Sequence, residues 1–176
     1  MKETVLKSLM RLFAIVSQVH SIDEIGIARK VVEGYLSLIV RQDHVRKYLI
    51  MYDFYHNSMR ERENKTGEKQ LSLLSVKAMI ICEEANNYLT NRQKIFILTH
   101  ILEIISSTGH KTLEDIDFIK TIASAFKIDE HLFNDCLYFV LKRHEDIYHK
   151  KMFFSFQIHR YLRNTNLFTA NFSRVK

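Results

Sequence analysis

The chain contains no proline and only four glycines in 176 residues. Sheet-rich folds change direction at short intervals, and their turns depend heavily on these two residue types. The shortage of both therefore argues against a sheet-rich fold and favours helices. Hydrophobic residues make up 47% of the chain, which is ordinary for a globular protein, and the length allows a substantial apolar core.

Helical periodicity runs through the first 143 residues. Apolar side chains recur every three to four positions, the spacing of one face of an α-helix. We therefore predict an all-α fold, a compact bundle of about seven helices. The first carries one core-facing stripe, whereas the fifth, near residues 91 to 107, is apolar on most faces and should be central. The predicted helix starts are residue 3, Ser21 with Glu24, Asp43, the region before Leu74, Thr90 with Gln93, Thr112 with Asp115, and Asp129.

The chain divides into a helical domain, residues 1 to 143, and a tail, residues 144 to 176. Within the domain, residues 60 to 70 (RERENKTGEKQ) are almost entirely polar and predict an exposed linker. Part of the tail alternates with a period close to two, which is typical of a strand. We expect a short hairpin or an extended segment there, with a continuation of the seventh helix as the alternative. The alternating apolar residues are Met152, Phe154, Phe156 and Ile158.

The net charge of +6 comes mainly from the tail. Residues 1 to 143 hold 20 basic and 18 acidic side chains, whereas residues 144 to 176 hold 6 and 2. This distribution makes nucleic-acid binding by the helical domain an unfavoured hypothesis. The alternative is that the tail binds nucleic acid or anionic lipid through phosphate contacts. The basic residues of the tail are Lys150, Lys151, Arg160, Arg163, Arg174 and Lys176.

Two parts of the chain follow the same order of features. Each has an apolar helix, a histidine near its end, a hydroxyl cap, an amphipathic helix, an acidic break with histidine and a second amphipathic helix. The interval from His44 to Tyr52 equals that from His131 to Phe139. The correspondence predicts two three-helix units packed with approximate two-fold symmetry.

Residues 92 to 141 have the sequence RQKIFILTHILEIISSTGHKTLEDIDFIKTIASAFKIDEHLFNDCLYFVL. An apolar helix, a tight glycine-containing loop, a hydroxyl cap with Glu close behind and two amphipathic helices follow one another. This order resembles the TerB-like or DjlA-type helical module. In that family an Asp-Gly pair in the loop can contribute to metal binding, but here the pair is Thr108 and Gly109. Because threonine lacks the carboxylate that Ca²⁺ or Mg²⁺ requires, the resemblance implies a degenerate loop.

Two further segments, VLKSLMRLFAIVSQVHSIDEIGIARKVVEGYL and LSLLSVKAMIICEEANNYLTNRQKIFIL, extend the resemblance over residues 4 to 142. They are similar to the N-terminal region of large Bacteroidetes ABC transporter ATP-binding proteins, where a TerB-like domain precedes other domains. The resemblance implies a non-catalytic accessory or regulatory domain that contacts a protein partner or other domains of a parent ABC ATPase. The chain has no GxxxxGK[ST] phosphate loop, so it cannot itself be the ATPase.

Patterns that could support catalysis or metal binding are weak. The segment HEDIYH (residues 144 to 149) separates its histidines by five positions, so the rings lie about 140° apart on a helix and do not form the HExxH zinc site. The carboxylates Glu114 and Asp115 fit the positive end of a helix dipole, and Glu83 with Glu84 is a second acidic pair. A degenerate metal sensor is the alternative if the helix-terminal histidines converge. These histidines are His20, His44, His110 and His131. We expect no enzymatic activity, cofactor or bound metal.

The two cysteines, Cys82 and Cys136, lie 54 residues apart inside apolar helical patterns. We predict neither a disulfide nor a cysteine-based metal site, and interpret both as buried thiols in a reducing compartment. No secretory leader opens the chain, and no apolar run reaches about 18 residues. A cytoplasmic location is therefore expected.

Aromatic side chains near arginine are the best candidates for a partner surface. The first candidate is the tyrosine stripe of the third helix, for which ordinary core positions are the favoured interpretation. The second is the aromatic, basic tail. The candidate residues are Tyr48, Tyr52, Tyr55, Phe153, Phe156, Arg160, Tyr161 and Arg163.

Overall fold

A computed structural model of the chain describes residues 2–18, 25–66, 71–107 and 112–147. These residues form seven helices and no strand, so the predicted all-α bundle is confirmed. In this part of the chain, no helix has both the length and the apolar character needed to cross a bilayer. The helices are α1 (Glu3–Gln18), α2 (Ile25–Ile39), α3 (Gln42–Thr66), α4 (Leu71–Asn86), α5 (Asn91–Ser107), α6 (Leu113–Ala125) and α7 (Glu130–Ile147).

Two helices, α1 and α5, form the centre of the bundle. α1 packs against α2, α3, α4 and α5, while α5 packs against α1, α2, α6 and α7. The central position predicted for the fifth helix is confirmed. The last six side chains of α1, from Phe13 to Gln18, are also all buried. The end of α1 is therefore enclosed on every side, although its sequence predicts a single core-facing stripe.

The two predicted three-helix units share one packing relation and differ in another. In each unit the first helix packs against the third, α1 against α3 and α5 against α7. The second helices differ, because α2 packs directly against α5 whereas α6 has no contact with α1 among the described residues. α4 lies between α1 and α6 and contacts both. The insertion of α4 therefore breaks the predicted symmetry.

Local capping interactions determine where the last three helices begin. The Thr90 N–H donates to Gln93 Oε1 at 2.9 Å, and the Gln93 N–H donates to Thr90 Oγ1 at 3.3 Å. Thr112 and Asp115 form the same reciprocal pair, at 2.9 and 3.1 Å. Asp129 Oδ1 accepts an N–H three residues further on at 2.9 Å. Because these caps satisfy amides that a helix start leaves free, α5, α6 and α7 begin where the sequence predicts.

Part of the predicted linker is helical, which corrects the sequence-based expectation. α3 ends at Thr66, so residues 60 to 66 extend this helix, and Glu61 and Arg62 on it are exposed as predicted. Arginine, glutamate and lysine are good helix formers, and a helix already anchored in the core adds further residues at little cost. Residues 67 to 70 lie outside the described residues. Asp43 is likewise not a cap, since α3 begins at Gln42 and Asp43 belongs to its first turn.

The end of α6 has a left-handed cap built on a lysine. Lys127 has a φ angle of 61°. Its N–H donates to the Ser124 carbonyl at 2.9 Å, and the Ile128 N–H donates to the Ala123 carbonyl at 2.9 Å. These two bonds form the Schellman motif, in which glycine is the usual left-handed residue. The motif ends α6 and leads the chain into α7.

Candidate functional site

The tyrosine stripe of α3 belongs to the core. Tyr48 and Tyr52 are buried, and Tyr55 is half-buried against the same core. This burial removes Tyr48 and Tyr52 from the candidate partner surface and places them at core positions, the interpretation that the sequence favours for the stripe. A tyrosine ring suits a core as well as an interface, so its spacing along the helix could not distinguish the two.

Polar side chains where α1, α2 and α3 meet bind one another. The Tyr52 hydroxyl donates to Ser17 Oγ at 2.9 Å, and Ser17 Oγ donates to the Phe13 carbonyl at 2.8 Å. Burial raises the pKa of Tyr52 to about 12. Next to Tyr52, Asp53 accepts from Arg29 of α2, with Nε–Oδ1 at 3.0 Å and Nη2–Oδ2 at 3.2 Å. These groups are occupied with joining helices, so we do not consider them a catalytic set.

His56 lies one turn after Tyr52 on α3 and is also buried. The two ring centroids are 5.9 Å apart. Burial lowers the pKa of His56, because removal from water disfavours the charged imidazolium. His56 therefore packs as a neutral ring at neutral pH. Its role in the buried contact with Tyr52 is structural.

The carboxylates and histidines that could bind metal do not converge in the described part of the chain. No group of three or more His, Cys, Asp or Glu side chains is close enough there to hold a metal ion. Asp115 is engaged in the capping box of α6, and exposed His131 contacts Asp135 at 3.3 Å. Several candidates lie outside the described residues: His20, Thr108, Gly109, His110 and the side chains of residues 144 to 149.

Both cysteines are buried and free, as the sequence predicts. Burial raises the pKa of Cys82 to about 12 and also raises the pKa of Cys136. The thiolate is the reactive form of cysteine, and a raised pKa makes it scarce at neutral pH. Neither thiol is therefore a good candidate for a nucleophile.

The aromatic side chain that α3 exposes is Phe54. Phe54 is 66% exposed and Ile50, one turn earlier, is 58% exposed. They lie on the side of α3 opposite Tyr48 and Tyr52. In the sequence, Ile50 and Phe54 each follow a tyrosine of the stripe by two positions, so their location on the opposite side of the helix was predictable. An isolated apolar pair is common on protein surfaces, so we do not interpret it as a site.

α4 has an apolar side that no described helix covers. Leu73, Val76 and Ile80 are 43%, 52% and 51% exposed, and their spacing places them in one row along the helix. Met79 flanks the row and is also exposed. Exposed apolar side chains that form a contiguous patch mark interaction sites in many soluble proteins, whereas single ones are ordinary. The other side of α4 faces α1 and α6 with Ala78, Ile81, Cys82 and Ala85.

The last turn of α4 adds two carboxylates to this exposed side. Glu83 and Glu84 are exposed, and neither forms an ion pair with a described residue. The C-terminal end of a helix is negative, which disfavours a carboxylate there by about 0.3–1 kcal/mol. A cationic partner would offset this repulsion. We call these six residues the α4 surface: Leu73, Val76, Met79, Ile80, Glu83 and Glu84.

The α4 surface lies on a helix that is held firmly in place. At the end of α4, Asn86 Nδ2 donates to the Ala125 carbonyl of α6 at 2.7 Å. The sequence indicates α4 by the spacing of Leu74, Ala78, Ile81 and Ala85, and the exposed outer side was not predicted. The available signal was that apolar residues occur all round this helix, as they do in α5.

The predicted tail surface is not part of the described structure. The tail candidates that lie outside the described residues are Phe153, Phe156, Arg160, Tyr161 and Arg163.

Comparison of the chain with protein-family models, with curated proteins and with solved structures found no match.

Proposed function

We propose that this chain is a non-catalytic accessory or regulatory domain that binds a protein partner at the α4 surface. The observation that carries the proposal is the row formed by Leu73, Val76 and Ile80, half exposed on a helix whose other side is packed into the core. Burying one such aliphatic side chain completely would contribute about 1 kcal/mol. A partner that covers the whole row therefore gains useful binding energy.

The charges of the α4 surface define the chemistry of the partner. The apolar row is followed by Glu83 and Glu84 in the last turn. Arginine forms strong, charge-assisted hydrogen bonds with carboxylates. The fitting partner is therefore a polypeptide segment in which apolar residues lie next to arginine or lysine.

The sequence resemblance suggests where such a partner is found. The similarity of residues 4 to 142 to the start of ABC transporter ATP-binding proteins supports a partner in another domain of a parent ABC-type ATPase. In this proposal the present chain contributes protein contacts and the ATPase domain contributes the chemistry. The resemblance is the sole support for the ATPase context, and the α4 surface supports the binding role independently.

The test uses the full chain and the purified ATPase domain of the parent protein. Calorimetry should detect binding, and Ile80→Lys should weaken it at least about tenfold, or about 1.4 kcal/mol. The matched control is Ile50→Lys on α3, since Ile50 is similarly exposed and α3 has no contact with α4 among the described residues. ATP turnover by the isolated ATPase domain should persist without the chain.

Two results would contradict the proposal. Equal effects of Ile80→Lys and Ile50→Lys would show that binding does not use the α4 surface. Absence of any binding would reject the ATPase domain as the partner.

A further inference from the structure

The tail contains a segment whose chemistry matches the α4 surface. Residues 152 to 163 have the sequence MFFSFQIHRYLR, in which apolar residues precede Arg160 and Arg163. We infer that this segment docks on the α4 surface of the same chain and competes there with the external partner. The inference rests on the function proposed above, because it takes the α4 surface to be a binding site.

The spacing of the two rows of side chains is compatible. In an extended segment, as the alternation predicts, Phe154, Phe156, Ile158 and Arg160 lie on one side at intervals of about 6.6 Å. Along α4, the positions from Leu73 to Glu84 are three or four residues apart, or about 4.5–6 Å. The two segments would run in the same direction, so the apolar side chains meet first and Arg160 then reaches the carboxylates. The matching positions on α4 are Leu73, Val76, Ile80 and Glu84.

The tail is long enough to reach α4 within one molecule. α7 ends at Ile147, α7 packs against α6, and α6 packs against α4. Neighbouring helix axes lie about 8–10 Å apart, so the α4 axis lies roughly 20 Å from that of α7. In the pairing above Phe154 reaches α4 first, and the seven residues from Ile147 to Phe154 span up to about 23 Å when extended. No second copy of the chain is therefore required.

Charge favours α4 over the other exposed apolar positions. The Ile50–Phe54 pair of α3 lies one turn from exposed Arg46, which would repel a basic segment. On α4 the cation one turn from Leu73 and Ile80 is Lys77, and the two carboxylates Glu83 and Glu84 outnumber it. On α7, the Lys142 ammonium lies 5.7 Å from the Tyr138 ring centroid, so that ring already faces a cation. The tail has 6 basic and 2 acidic side chains. It therefore fits best beside the carboxylates of α4.

Disulfide trapping in the full chain tests the inference. Ile80→Cys combined with Ile158→Cys should form an intramolecular disulfide under mild oxidation, at a rate independent of protein concentration. The matched control pair, Ile50→Cys with Ile158→Cys, should react at least about tenfold more slowly. The native thiols Cys82 and Cys136 are buried, so their contribution should be small.

Charge reversal in the trapping variant tests the role of the ion pair. Adding Glu84→Lys should slow the disulfide about threefold, as expected for an exposed ion pair. Adding Arg160→Glu to that variant should restore the rate, because the opposite charges are again paired. Failure of this rescue, with the rate unaffected by either change, would overturn the proposed pairing of Arg160 with Glu84.

The remaining outcomes separate this inference from the proposed function. Equal trapping rates for the two cysteine pairs would overturn docking on α4. Disulfide-linked dimers whose amount increases with protein concentration would show that the α4 surface binds the tail of a second copy of the chain instead of its own tail. Partner binding at α4 without trapping would refute only the tail as occupant. Trapping without binding of the ATPase domain would refute only the proposed external partner.

Discussion

The hydroxyl of Tyr52 on α3 donates a hydrogen bond of 2.9 Å to Ser17 Oγ on α1, and both residues are buried. Tyr52→Phe removes this donor and retains the ring. We expect the free energy of unfolding to fall by about 1 kcal/mol, the usual contribution of such a bond. Urea denaturation followed by circular dichroism measures the change. An unaltered unfolding midpoint would show that the bond contributes nothing to the α1–α3 contact.

Tyr35 provides the same substitution with the opposite expectation. Its ring is buried against Phe13 and Phe96, with centroids 5.0 and 5.6 Å away. Its hydroxyl has no hydrogen-bond partner among the described residues, and burial raises the pKa of Tyr35. Because an unsatisfied buried hydroxyl is unfavourable, Tyr35→Phe should leave the free energy of unfolding unchanged or raise it by up to about 1 kcal/mol. A loss equal to that of Tyr52→Phe in the same urea experiment would contradict this view.

His56 should make stability depend on pH in the mildly acidic range. Its folded-state pKa is lowered, so the unfolded chain, with a histidine pKa of about 6.5, binds more protons than the folded chain. Stability is therefore complete above the unfolded pKa and decreases as the pH falls from about 6.5 towards the folded value. His56→Gln should flatten this part of the profile, measured as urea midpoints across the histidine range. An unchanged profile would assign the dependence to another group.

Two lowered carboxylate pKa values allow an internal check on that experiment. The ion pairs with Lys47 and Lys120 lower the pKa values of Glu3 and Glu130, respectively. Their contribution to stability is present above the ordinary glutamate pKa of about 4.3 and is lost as the pH falls below it. This lower step should survive in the His56→Gln variant, so the two windows can be told apart.

Lys127 should be a site of easy stabilisation. Its φ angle of 61° is one that glycine adopts without the steric cost of a Cβ atom. Lys127→Gly should raise the free energy of unfolding by about 0.5–1 kcal/mol, after allowing for the greater flexibility of glycine in the unfolded chain. Lys127→Ala is the control, since it removes the charge and keeps the strained backbone. Equal stabilisation by both variants would show that the gain comes from removing the Lys127 charge, which lies near the cation of Lys94.

Glu84 should oppose stability while it supports binding. Glu84→Lys places a cation at the negative end of α4 and should raise the free energy of unfolding by about 0.3–1 kcal/mol. The same change should weaken binding of the ATPase domain, measured by calorimetry. Glu114→Lys, at the positive end of α6, is the control and should lower stability. A Glu84→Lys variant that binds as well as the original chain would remove this carboxylate from the binding surface.

Much of the fold could be predicted because its signals act over a few residues. The reciprocal pair of Thr112 and Asp115 satisfies backbone amides within one turn, so the start of α6 is visible in the sequence. The periodicity of α5 likewise indicated a central helix. The candidate site could be predicted much less well. Ile80 and Ile81 are adjacent apolar residues of α4, yet only Ile80 is exposed, and this depends on the positions of α1 and α6.

By itself the sequence determined the all-α class, the number of helices and the starts of α5, α6 and α7. These features follow from hydrophobic period, helix propensity and capping, which depend on neighbours along the chain. The periodicity of α5 already predicted its central position, but only the tertiary structure decided that the apolar side of α4 remains open. Both helices carry apolar residues all round, and whether such a surface is buried depends on which distant helices pack against it.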